Sequence, residues 1–358
     1  MIRSLSPSRK SRNNNKASAS SPATVRPLPS SSLWQSIGHL ITLGRPRFLF
    51  YSVACHAIGA LYAVRVQQRS FDLRTAIFMQ LTVTLTHLFA HYTNEYADFE
   101  ADCLNRNAGG WTGGSQVLAK GLLPRVAAAY MSFLTCGAAV SFGVLTVVRF
   151  LDVRLGVAPA SLLSLDGFAA ALLLVPWQFV ALGLAVLAVA AAYSVPPIRL
   201  SANALGELCV AFVLSFAAPC VGLLTQAGHI TPAFVEALLP FCLLSFARMV
   251  VMNIADREGD AKANKFTSVV WLGEARAVTL VNAMHAATYL LVIPQLPSLP
   301  YAIRIAYYAV LPLRWWQSIR LSSPDWWLDA ALVRSLPFVE SLFVLTNSIA
   351  LCVALATL

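Results

Sequence analysis

Two short stretches of this chain hold the residue types from which an oxygen-ligand cation site is built. The first is His91-Tyr92-Thr93-Asn94-Glu95-Tyr96-Ala97-Asp98-Phe99-Glu100-Ala101-Asp102. Asn94, Asp98 and Asp102 recur at every fourth position, so a helix stacks them on one face. Two carboxylates and an amide oxygen suit Mg²⁺, which binds through a few carboxylates together with phosphate oxygens. The second stretch, Asn253-Ile254-Ala255-Asp256-Arg257-Glu258-Gly259-Asp260, repeats the step with Asp256 and Asp260. Facing each other, the two rows would clamp a diphosphate. One pair of acids at this spacing is an ordinary solvated helix end. Two such rows in a chain with only 16 Asp and Glu among 358 residues call for a shared task.

The elements that must position them are membrane helices. The chain is 58% hydrophobic and 12% charged, with a mean hydropathy of +0.66, well outside the range of soluble domains. Its apolar runs are continuous and rich in Leu, Ala and Val, which excludes the alternating strands of a β-barrel. The expected fold is therefore all-α and polytopic. Nine spans are read at Phe48–Val64, Thr75–Tyr92, Val126–Val148, Ala169–Tyr193, Leu208–Thr225, Pro232–Met252, Ala277–Ile293, Ala302–Trp316 and Pro337–Thr357. Counting turns between them puts both acidic rows on the face that also holds the N-terminus. Roughly 20 of the 26 Lys and Arg residues fall there too, which marks that face as cytoplasmic-like.

Residues 1–32 are basic, free of acids and rich in Ser, Asn and Pro, a composition that cannot bury a core and is expected to be disordered. The rest, 33–358, reads as one transmembrane domain. A solvated cytosolic tail fits an endomembrane protein, and this reading is favoured; a transit peptide would fit the mitochondrial inner membrane, but four prolines interrupt any amphipathic helix. The seven cysteines lie scattered with no metal-ligand spacing and read as small reduced hydrophobes. Trp326 and Trp327, in Ser322–Asp329, read as an interfacial pair.

Further polar residues sit where they would serve the same mouth. His87 and His91 precede Asn94 on nearly the same face and are read as hydrogen-bonding residues of the bundle interior. The sharper alternative is a two-histidine iron or zinc site, but the second row offers no histidine. Arg248 continues the row of Met252, Asp256 and Asp260, and a buried arginine must reach a polar cavity. The run Gly109–Gly121 could turn backbone N–H groups toward an anion, with Lys120 adding charge. Tyr193-Ser194-Val195-Pro196-Pro197-Ile198-Arg199 is stiffened by prolines that end the fourth span. Lys262, Lys265 and Thr267 follow the second row.

These residues together resemble the UbiA superfamily of intramembrane prenyltransferases. The likeness rests on Arg45-Pro46, the NxxxDxxxD row, the GGSxVL-type loop at Gly113–Leu118, and Tyr193 with Pro196-Pro197. It continues through Gly206-Glu207, the DxxxD row, Lys265 and Thr267, and Leu272-Gly273. The loop is closer to the menaquinone-type branch. Glu95 stands where many members have Asp, and Asn264 where members often have Gly. The resemblance implies a helical bundle with a central cavity in which Mg²⁺ joins an isoprenyl diphosphate to Asn94, Asp98, Asp102, Asp256 and Asp260. Lys120, Arg199, Arg248 and Lys265 would then contact the diphosphate, and Tyr193, Tyr96 and Phe99 would face an allylic cation. The implied reaction transfers the isoprenyl group to a lipophilic aromatic or quinone-precursor acceptor. A membrane terpene cyclase would use the same clamp without an acceptor, and an ion-coupled transporter or a purely structural subunit would use no diphosphate at all.

Overall fold

Ser32 and Gln35 cap each other's backbone N–H groups, at 2.8 and 3.3 Å, and so start the first helix, α1 (Leu33–Leu43). From there the computed structural model describes residues 32–105, 111–292 and 311–357 without 322 and 324. All regular structure among them is helical, apart from one isolated bridge between Asn203 and Phe266. The expected tail, residues 1–31, lies outside the described residues, as do residues 302–310 of the eighth expected span.

The long helices are α2 (Leu49–Arg65), α3 (Leu73–Ala97), α5 (Arg125–Leu155), α7 (Trp177–Ser194), α10 (Pro232–Lys262), α12 (Glu274–Val292) and α14 (Ala330–Thr357). Short ones join them: α4 (Phe99–Leu104), α6 (Leu165–Leu174), α8 (Gly206–Val210), α9 (Ala218–Ala227), α11 (Ser268–Leu272) and α13 (Leu311–Leu321). Six segments among the described residues are long and apolar enough to cross a bilayer. α3 and α12 are long enough but carry more Thr, His and Asn.

Three of the expected spans differ from what forms. Ala169–Tyr193 is two helices, because Pro176 between α6 and α7 cannot continue the hydrogen-bond ladder. The last helix starts at Ala330 rather than Pro337 and keeps that proline inside. The span around Leu208–Thr225 opens into a π-helical stretch, Ala211–Ala217, just before Pro219. The wider turn makes room for a ring that would otherwise press on the carbonyl of Ser215. Of the expected interfacial pair, Trp326 faces inward. It is 4% exposed and packs with Val250, Val278 and Leu332, while Trp327 alone is 46% exposed.

α3 packs along α5, α2 along α9, and α10 along α12 and α14. The crossing of α2 and α9 is tight: a Cβ on Gly59 would lie 1.8 Å from the Pro219 carbonyl oxygen. At the end of the bundle remote from the acidic rows, buried Gln226 accepts the Asp72 N–H at 2.9 Å and donates to the Asp72 carbonyl at 3.3 Å. Arg149 reaches the Asp72 carboxylate at 3.3 Å, and Arg154 donates to the Ser70 carbonyl at 2.6 Å. That network ties α3, α5 and α9 together.

Gly59→Ala should therefore destabilise the bundle by about 1–3 kcal/mol through overpacking. Gly137→Ala, whose added Cβ meets nothing within 4 Å, should not. Thermal unfolding of the two variants in the same detergent measures the difference.

Candidate active site

The first acidic row survives a break in its helix. α3 ends at Asp98, yet the Asp98 N–H still donates to the Asn94 carbonyl at 2.8 Å and the Asp102 N–H to the Asp98 carbonyl at 2.9 Å. The fourfold step is kept across the junction with α4. The second row lies on the last turns of α10, which runs ten residues beyond the expected Met252. α10 and α4 meet where Gly259 has no side chain: a Cβ there would lie 2.9 Å from the Ala101 carbonyl oxygen. Asn105, after α4, then donates to the Asp256 carboxylate at 2.6 Å.

Both rows open into one cavity of about 750 Å³. Asn94, Asp98, Asp102, Asp256 and Asp260 all line it, with Arg45, Tyr193, Arg248 and Lys265. The two rows are physically joined by Lys265, whose Nζ lies 2.7 Å from Asp98 Oδ2 and 3.4 Å from Asp260 Oδ1. Burial works against the charge on this ammonium, but Asp98 and Asp260 outweigh it and hold its pKa well above the ordinary lysine value. Asp102 is shifted the other way. Burial, then the charges of Glu95, Asp98 and Asp256, push its carboxyl well above the usual carboxylate range against the pull of Arg45.

Glu95 has a different task from its neighbours in the row. It is 2% exposed and forms an ion pair with Arg45, whose Nε donates at 2.6 Å. It also accepts from the Ser115 N–H at 2.7 Å and the Ser115 hydroxyl at 2.6 Å. The glycine-containing loop is thus latched to α3. Its backbone donors face the protein's own carboxylates: Ser115 N–H faces Glu95, and Gly113 N–H faces Asp256. Gly109 and Gly110 lie outside the described residues. A second latch is Glu207, 1% exposed, which accepts from Asn253 at 2.7 Å and from Ser268. It fixes the start of α8 against α10 and α11.

Not every residue singled out in the sequence reaches the cavity. Lys120 is exposed, and Arg199 does not line the cavity wall. Tyr96 is exposed and Phe99 packs beside Leu43 and Tyr92; both lie under Arg125, at 4.4 and 5.4 Å from its guanidinium, and neither lines the cavity. Lys262 pairs with Glu258 at the surface, at 2.6 Å. Aromatic faces in the cavity come instead from Phe48, Tyr51, Trp111, Phe179 and Tyr193. Arg45, Asn105 and Glu207 carry no spacing signal of their own. Arg45 and Glu207 were marked only by the family resemblance, and Asn105 by nothing.

A divalent cation can be tested against these residues. The donors are hard oxygens, and Asp260 Oδ2 is buried without a hydrogen-bond partner. An ammonium already sits between the rows as a stand-in for a cation. Among the described residues no three Asp, Glu, His or Cys side chains converge to chelate one ion unaided. Mg²⁺ takes one or two carboxylates per ion and completes its shell with phosphate oxygens and water, so these carboxylates would supply only part of its shell. The Asn94 amide nitrogen donates to Asp98 at 2.8 Å and Ser194 at 3.1 Å, so a cation would use its oxygen only after the amide turns over.

The fold is thus an all-helical bundle with six segments long and apolar enough to cross a membrane among the described residues, and its two acidic rows line one largely apolar cavity. The model of the UbiA prenyltransferase family matches residues 149–336, taking in the second acidic row but not the first. The chain belongs to that family. Among solved structures, a digeranylgeranylglyceryl phosphate synthase aligns over 90% of this chain and 100% of its own, with a TM-score of 0.53 and 14% identity. A UbiA homolog from Archaeoglobus fulgidus, bound to GPP and Mg²⁺, aligns over 87% and 99%, with a TM-score of 0.52 and 17% identity. An apo UbiA homolog from Aeropyrum pernix K1 covers 83% and 97%, at 0.51 and 16%. These likenesses show the fold. No curated protein matches the chain.

Replacing Glu95 by Ala should leave Arg45 buried without its partner and cost about 3 kcal/mol. Denaturant unfolding of the variant beside Glu100→Ala, an exposed neighbour, checks it.

Proposed function

We propose that this protein transfers an isoprenyl group from an isoprenyl diphosphate to an aromatic or quinone-precursor acceptor within the membrane. One observation carries the reading: carboxylates more than 150 residues apart face one cavity and share a single cation, Lys265. Family membership and the A. fulgidus homolog's bound GPP and Mg²⁺ support it. Asp98, Asp102, Asp256 and Asp260, with Asn94, would hold Mg²⁺. When bound, the metal neutralises the diphosphate and makes it a better leaving group.

The chain's own residues do the rest. Lys265 and Arg45 stand at the mouth, where the diphosphate oxygens gather charge as the C–O bond breaks. Both electrons of that bond leave with the diphosphate. Tyr193 and the apolar walls exclude water from the allylic cation and give it an aromatic face. An acceptor ring carbon then supplies the electron pair of the new C–C bond, and the departing diphosphate takes the ring proton. The depth of the apolar chamber explains why a charged headgroup is handled inside a bilayer: the lipid tail never enters water.

With an aromatic acceptor present, diphosphate release from isoprenyl diphosphates of several chain lengths should require Mg²⁺ and stop in EDTA. Asp98→Asn, Asp256→Asn and Lys265→Ala should each lower it about 100-fold or more. Metal-independent ion flux without diphosphate release would point to a transporter instead. A cyclic hydrocarbon formed without any acceptor would make the protein a cyclase.

A further inference from the structure

The first helix presents an apolar face that the described bundle leaves bare. α1 has 11 residues and holds no Asp, Glu, Lys or Arg. At about 100° per residue, its side chains divide into three arcs. Ser36, His39, Leu40 and Leu43 form one, half-buried or buried against the bundle. Leu33, Trp34, Ile37 and Ile41 form the second, where Leu33, Trp34 and Ile41 are 72, 80 and 57% exposed. Gln35, Gly38 and Thr42, also exposed, form the third.

The seat of α1 is fixed, so the bare arc has a set direction. The Tyr92 hydroxyl donates to the Leu40 carbonyl at 3.1 Å, and His91 Nδ1 to the Gly44 carbonyl at 2.8 Å. Leu40 and Leu43 pack with Tyr92, Leu118 and Ala128. Gly44 closes the seat: a Cβ there would lie 2.8 Å from the Tyr92 hydroxyl oxygen. Arg45 follows in left-handed backbone, φ 50°, so α1 turns off rather than running on into α2. Arg45 then pairs with Glu95 beside the cavity mouth, which places α1 at the end of the bundle that holds the acidic rows. On the neighbouring α5, Val126, Tyr130, Phe133 and Leu134 are exposed as well.

Two further features say what covers the arc. Trp is enriched at membrane–water interfaces, and an apolar arc beside a polar one is the pattern of a helix lying in that layer. Residues 1–31, which lead directly into α1, hold six cations (Arg3, Arg9, Lys10, Arg12, Lys16 and Arg26) and no acid. A second copy on the arc would bring two such segments of like charge together. An anionic lipid surface instead supplies both an apolar boundary for the arc and countercharge for the segment.

We infer that α1 and residues 1–31 bind the surface of an anionic leaflet. Leu33, Trp34, Ile37 and Ile41 enter the boundary between headgroups and acyl chains, and the cations draw acidic phospholipids around them. The inference needs only the membrane fold, so it stands or falls apart from the prenyl-transfer reading.

The test uses the full chain in nanodiscs of mixed phosphatidylcholine and phosphatidylserine. The chain has eight Trp, so the difference between the unaltered protein and Trp34→Phe isolates the Trp34 emission. Lipid brominated high on the acyl chain should quench that emission, and aqueous acrylamide should barely reach it. At equal mole fraction, brominated phosphatidylserine should quench it about twofold or more better than brominated phosphatidylcholine. High salt, or replacing all six cations by Gln, should abolish the preference. Trp34 open to acrylamide and untouched by brominated lipid would overturn the proposal, because α1 would lie in water. Protection from both quenchers would overturn it too and would put a second copy or another protein segment on the arc. Equal quenching by the two lipids, or a preference that survives loss of the six cations, would overturn the anionic partner.

Discussion

Like charges crowded into a low-dielectric space repel, and this bundle is arranged around containing that repulsion. Asp98, Asp102, Asp256 and Asp260 converge where water is scarce, and the energy of gathering them must be offset by cations supplied locally. Lys265 does so across the rows, and Arg45 does so from the side while pairing with Glu95. Asn105 and the Gly113 N–H add neutral donors to Asp256. Each partner lies on a different helix end or loop. The charge balance therefore fixes not just the carboxylates but the segments that carry their partners.

The same requirement explains the loops. A glycine-containing segment that could have cupped an exogenous anion is instead bound to endogenous ones, which latches it over the cavity mouth. Glu207 plays the matching part on the other side, drawing α8, α10 and α11 together through Asn253 and Ser268. Polar bonds inside an apolar bundle are costly to leave unmade. Here they are spent on holding the walls of one compartment rather than on the helices' long apolar contacts.

Much of this was legible from residue spacing. The fourfold steps of both rows placed their ligands on single faces, and the parity of apolar runs placed both rows at one end. What spacing cannot report is the partner across a helix boundary. Arg45 and Glu95 are 50 residues apart, and Asn105 and Asp256 are 151 apart. Nor does a resemblance fix which way a side chain looks: Tyr96 and Phe99, offered as aromatic faces for an allylic cation, lie under Arg125 instead. The split at Pro176 was written in the sequence, yet the apolar run on both sides of it read as one span. That Trp326 packs inward while Trp327 stays half exposed is likewise set by neighbouring helices that the local sequence does not name.

The two ends of the bundle are secured by different chemistry. Far from the acids, Gln226, Asp72, Arg149 and Arg154 stitch α3, α5 and α9 through amide and guanidinium bonds that no substrate charge would compete for. Near the acids, the fastening is an ammonium that any incoming polyanion or metal must renegotiate. One end is thus a fulcrum and the other a clasp. If the proposed reaction takes place here, a lipid-tailed substrate would enter past the clasp, where Lys265 is the fastening between the rows, and leave the fulcrum's bonds intact.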